Sequence, residues 1–70
     1  MRMTDAELLH IWVEVLQGRG QHGHFLRAFA DTIVRADPEN FILLRSAART
    51  LADKYHLIDY LDNYQSEVAP

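Results

Sequence analysis

Three glycines, two histidines and one arginine crowd into one stretch, Gly18-Arg19-Gly20-Gln21-His22-Gly23-His24, with Arg27 just beyond it. Glycine-rich backbone feeding a helix start offers free N–H groups and the positive end of a helix dipole, and both suit an anion. Guanidiniums at Arg19 and Arg27 would add charge-assisted, bidentate bonds to phosphate. His22 and His24 would donate to it or stack on a base. Arg45 and Arg49 would join if the third helix packs beside the second, or would come from another subunit. The chemistry expected here is the binding of an anionic, nucleotide-like ligand. The opposing reading is a flexible connection whose basic residues are simply solvated. Gly18-x-Gly20-x-x-Gly23 has the letters of a dinucleotide fingerprint, but no strand precedes it and the chain is too short for a βαβ unit.

Other chemistries have less behind them. The chain has no cysteine, so neither a disulfide nor a thiolate zinc site is open to it. His22-x-His24 is a partial ligand pair, with His10 and His56 elsewhere. There is no HExxH motif and no i, i+4 histidine pair, so no metal or cofactor is assigned. Ser46 and Ser66 lack a nucleophile elbow. The chain reads as non-catalytic. A formal net charge of −3 argues against DNA-backbone binding. No apolar run approaches the roughly 20 residues of a membrane span. The start, MRMTDAELLH, lacks the basic opening of a signal peptide. A soluble, cytoplasmic protein is expected.

The elements that must position the loop follow from local signals. Thr4-Asp5-Ala6-Glu7 has the pattern of a capping box. A first helix should run from Asp5 to about Gln17, with Gly18 in the left-handed position beyond it. A second should run from His24 to Ala36, with Phe25, Leu26, Phe29, Ile33 and Ala36 on its apolar face. Arg27, Asp31 and Arg35 form an i, i+4 ladder on the other. Asp37-Pro38-Glu39 marks a helix start, with Asp37 as N-cap and Pro38 in the first turn. That third helix should reach about Lys54 and bury Phe41, Leu44, Ala47, Ala48, Leu51, Ala52 and Tyr55. Ile42 and Leu43 fall off its apolar face, where partners would meet them. Tyr55–Tyr64 reads as a short fourth helix or a continuation of the third, and the chain from about residue 65 as a frayed tail. The fold class is all-α: a single domain, 1–70, of three to four short helices.

Seventy residues support only a small core, typically worth roughly 3–5 kcal/mol. The first helix nevertheless carries Leu8, Leu9, Ile11, Trp12, Val13, Val15 and Leu16 over an arc of about 200°, where packing on one side needs nearer 100°. The surplus predicts a homo-oligomer, with Leu9, Trp12, Val13 and Leu16 at the interface. The competing arrangement sandwiches the helix between two others in one protomer.

The run Gly23–Tyr55 resembles a group of short bacteriophage and prophage proteins. Their pattern is G-[DH]-F-L-x-A-[FL]-A, then R-A-D-x-x-N, L-L-R and K-Y. The matching residues are Gly23, His24, Phe25, Leu26, Ala28, Phe29, Ala30; Arg35, Ala36, Asp37, Asn40; Leu43, Leu44, Arg45; and Lys54, Tyr55. His24 stands where an acid is usual and Ser46 where a proline is. The resemblance implies a phage or mobile-element origin and work in a host cell's cytoplasm. It brings no known activity. Very small phage proteins are often accessory factors that blunt host defences, by sequestering a signalling nucleotide or by blocking a protein. The expectation is therefore an anti-defence binder holding a nucleotide-like anion at the Gly/His/Arg loop. The alternative is a module that docks a host protein through the apolar surface of the first helix.

Overall fold

The computed structural model describes residues 3–62 and 64. Three α-helices form the body: α1 (Asp5–Leu16), α2 (His24–Arg35) and α3 (Pro38–Lys54). Two 3₁₀ turns complete it, Arg19–Gln21 between α1 and α2 and Leu57–Leu61 after α3. The expected all-helical class and the three helix positions are observed. The tail expected from about residue 65 lies outside the described residues.

The helix ends follow from the signals at them. Thr4 Oγ1 accepts from the Glu7 N–H at 3.1 Å, and Glu7 Oε1 accepts from the Thr4 N–H at 2.9 Å, so the capping box is closed. Gly18, at φ +99°, takes the left-handed position just past α1. Asp37 precedes α3, but its carboxylate accepts from Asn40 Nδ2 at 2.6 Å and caps no backbone N–H. After α3 the chain neither continues as helix nor builds a full fourth one. His56 enters the left-handed region at φ +57° and the backbone tightens into the second 3₁₀ turn.

Helix α1 is the centre of the molecule and touches every other element. Leu8, Ile11, Trp12 and Val15 are wholly buried, and Leu16 is half-buried against the same core. The expectation that Trp12 stands at an interface is therefore corrected. Its indole packs edge-on to Phe29, with ring centroids 4.9 Å apart, inside the protomer. Val13 is half-buried and Leu9 is 36% exposed. Helices α2 and α3 and the closing 3₁₀ turn cover most of the arc that seemed surplus. Phe25, expected in the core, is 62% exposed. The covered face of α2 is Leu26, Ala30 and Ile33. Phe25 lies about 100° round the helix from Leu26, at the edge of that face. Helix α3 buries only two residues completely, Ala48 and Ala52.

Candidate functional site

The six residues expected to bind an anion fall into three separate pairs. Arg19 and His22 meet on Tyr60. The Arg19 guanidinium carbon lies 4.5 Å from the centre of the Tyr60 ring, and His22 Nε2 is hydrogen-bonded to Tyr60 Oη at 2.8 Å. Arg19 is also neutralised on both sides: Nη2 donates to Asp62 at 2.8 Å and Nη1 to Glu14 at 3.2 Å. The bond to Asp62, with help from Glu14, raises the guanidinium above its ordinary pKa. Glu14 faces His10 at 3.4 Å, and the His10 ring lies 4.7 Å from that of Tyr64. The glycine-rich stretch is thus a clasp that fastens the closing segment to the end of α1. Gly20, at φ +79°, passes directly under the Tyr60 hydroxyl and the His22 ring, where there is no room for a Cβ.

Arg45 and Arg49 meet elsewhere, at the start of α1. Arg45 Nη1 and Arg49 Nη2 each donate to one oxygen of Asp5, both at 2.9 Å. Arg49 Nη2 also reaches the Met3 carbonyl at 3.3 Å. Asp5 and Glu14 are nine residues apart on α1, or about 14 Å along its axis at 1.5 Å per residue. The two arginine clusters therefore sit towards opposite ends of that helix and do not converge. Two guanidiniums share one carboxylate at Asp5, and Asp53 lines the same cavity as both arginines.

His24 and Arg27 form the third pair, exposed on the first turn of α2. Gly23 is the N-cap and supplies no side-chain bond to the first-turn N–H groups. Space beside its Cα is open, and its φ of −73° suits any L-residue. Serine there should cap α2 and lower the entropy of the unfolded chain. We expect Gly23→Ser to stabilise the protein by about 0.5–1 kcal/mol, read as a rise in Tm by circular dichroism. A fall in Tm would contradict the uncapped start.

Of the ladder Arg27, Asp31, Arg35, the second step forms, with Arg35 Nε on Asp31 at 2.7 Å. Among the described residues no three His, Asp or Glu side chains gather as a metal site, and no helix is long and apolar enough to cross a membrane.

Clefts of about 610 Å³ beside Arg45, Arg49 and Asp53 and beside Asp31, Arg35 and Asp37 carry polar side chains, and one further open surface is apolar. A groove of about 440 Å³ runs between α1, α2 and α3, lined by Ala6, Leu9, Ile33, Val34, Phe41 and Ile42. Asp5 and Arg45 stand at its edge. Its size falls within the roughly 300–1,000 Å³ of clefts that take ligands. Leu9 is 36% and Ile42 55% exposed, so the groove shows apolar side chains to solvent. Sequence reasoning had marked Leu9 and Ile42 as contact residues but placed Ile33 and Phe41 only in the core. The missed signal was the density of apolar residues on either side of Pro38, where α2 hands over to α3.

No family model, no curated protein and no solved structure matches this chain.

Proposed function

We propose that this protein is a non-catalytic interaction module that docks an amphipathic helix of a partner protein in the groove between α1, α2 and α3. One observation carries the reading. The apolar lining of Leu9, Val34, Phe41 and Ile42 is open, whereas Arg19, Arg45 and Arg49 are held by the protein's own carboxylates. Arg45 lines the groove and keeps part of its side chain exposed beside Asp5, which favours an acid on the docked helix. The occupant we infer thus carries leucine-sized side chains at i and i+4 and a glutamate beside them. The docking role expected of the first helix is kept, but through Leu9, with Trp12 inside the core. The resemblance to short bacteriophage and prophage proteins brings no activity with it, but very small phage proteins are often accessory binding factors, which supports a stoichiometric binder over an enzyme.

The nucleotide-like ligand is the second reading. The uncapped start of α2, with His24 and Arg27 exposed on it, speaks for it, and the dispersal of the other four residues speaks against it. One set of measurements separates the two. Fluorescein-labelled helical peptides bearing Leu at i and i+4, with and without an adjacent Glu, are titrated with protein and followed by anisotropy. The peptide with Glu should bind more tightly, and Leu9→Asp should weaken it at least about tenfold. A nucleotide panel should leave Tm unchanged. A rise in Tm with a nucleotide, abolished in Arg27→Ala, would overturn the groove reading, as would peptide binding that ignores Leu9→Asp.

A further inference from the structure

Among the described residues, one face of helix α3 is left exposed along its length. Glu39, Leu43, Ser46, Thr50 and Asp53 recur at steps of four and three, the spacing of a two-helix seam, and all five are exposed. Leu43, at 76% exposure, stands out furthest, and Ile42 flanks it at 55%. Ala47 and Lys54, also exposed, lie along the other side of the seam. We propose that this face pairs with the same face of a second copy, the two α3 helices running antiparallel about a twofold axis between Ser46 and Ala47.

The register follows from the residues. A twofold axis at that point sets each residue opposite the one whose number completes the same sum. Ser46 meets Ala47, Leu43 meets Thr50 and Glu39 meets Lys54. The centre is then small on both sides, so the helices can approach closely, and each Leu43 lies over the short Ala47 and Thr50 side chains of its partner. At both ends a carboxylate meets an ammonium. Among the described residues Glu39 makes no ion pair within its own protomer, which leaves it available. A parallel pairing would set Glu39 on Glu39, Asp53 on Asp53 and Lys54 on Lys54. Like charges face to face disfavour it, and antiparallel dipoles add to the preference. The contact is isologous, so it closes as a dimer and does not propagate.

Its extent sets the affinity expected. A helix of 17 residues is about 26 Å long and roughly 10 Å wide. That footprint is well below the roughly 800 Å² per partner of a standard interface. The dimer should therefore be weak, with a Kd in the micromolar range or above, and visible only at high concentration. The pairing does not depend on the groove reading. The groove lies on the α1 and α2 side of α3, and the two surfaces share only Ile42.

The test is sedimentation velocity from about 1 μM to about 1 mM protein, a range that brackets such a Kd. Mass should rise towards a dimer with concentration. Leu43→Asp, at an exposed position, should leave the helical signal unchanged and hold the chain monomeric throughout. Glu39→Lys and Lys54→Glu should each weaken association at least about tenfold, and the double charge swap should restore it. Leu9→Asp should not alter it. A chain that is monomeric up to the highest concentration would overturn the proposal. So would a dimer indifferent to Leu43→Asp, or charge variants whose double swap rescues nothing.

Discussion

Trp12→Ala should unfold this protein at room temperature. Trp12 is the largest wholly buried side chain, on the helix that touches every other element. Truncating a buried tryptophan to alanine costs about 3–5 kcal/mol, in lost transfer energy and in the cavity left behind. That is comparable with the roughly 3–5 kcal/mol a core of this size provides. Trp12→Phe should behave quite differently. The indole Nε1 is buried with no acceptor among the described residues. An unmet buried donor costs about 1–3 kcal/mol. Phenylalanine removes that donor, keeps a ring against Phe29 and gives up only part of the volume. We expect Trp12→Phe to stay folded with a Tm close to the parent's, while Trp12→Ala loses its helical circular-dichroism signal. Equal losses in the two variants would show that Trp12 does not occupy the core as described.

The second large effect is expected at Gly20, and the three glycines separate its causes. Alanine at Gly18 meets empty space but must hold φ near +99°, a left-handed penalty of about 1–2 kcal/mol. Alanine at Gly20 bears the same penalty and also runs into Tyr60 and His22. Tyr60 must then swing away, giving up its bond to His22 and its place against Arg19. The total should exceed about 2 kcal/mol, and the loss should fall unevenly. Leu57 is wholly buried and keeps the closing segment attached, while the clasp at its far end opens. Hydrogen exchange should therefore quicken across Leu57–Leu61 in Gly20→Ala more than in Gly18→Ala. Matching stability and exchange in the two variants would contradict the close passage of Gly20 under Tyr60.

These contrasts also show what was legible in the sequence. Local chemistry read well. Thr4 and Glu7 close their box, Gly18 turns left-handed, and Pro38 opens α3, because each signal acts within one helical turn. The end of α3 was harder. The residue that breaks it is His56, which has no glycine-like permissiveness to announce a positive φ. The site was harder still. Arg19 looked like a phosphate ligand because its partner Asp62 lies 43 residues away. Arg45 and Arg49 looked available because Asp5 lies 40 and 44 residues away from them. Spacing along a chain cannot show that a cation is already matched. The apolar arc of α1 was counted correctly, but the closing 3₁₀ turn that covers part of it carries only Leu57, Tyr60 and Leu61 onto the core, too few to show a period.

The central claim is that the working surface is the apolar groove and that the glycine-rich stretch is a fastening. An amide-resolved NMR titration with the Leu/Glu helical peptide tests it most directly. We predict shifts concentrated at Ala6, Leu9, Val34, Phe41 and Ile42, with Gly18–Gly23 unmoved. Shifts centred instead on Gly18–Arg27, appearing with a nucleotide and not with the peptide, would contradict it.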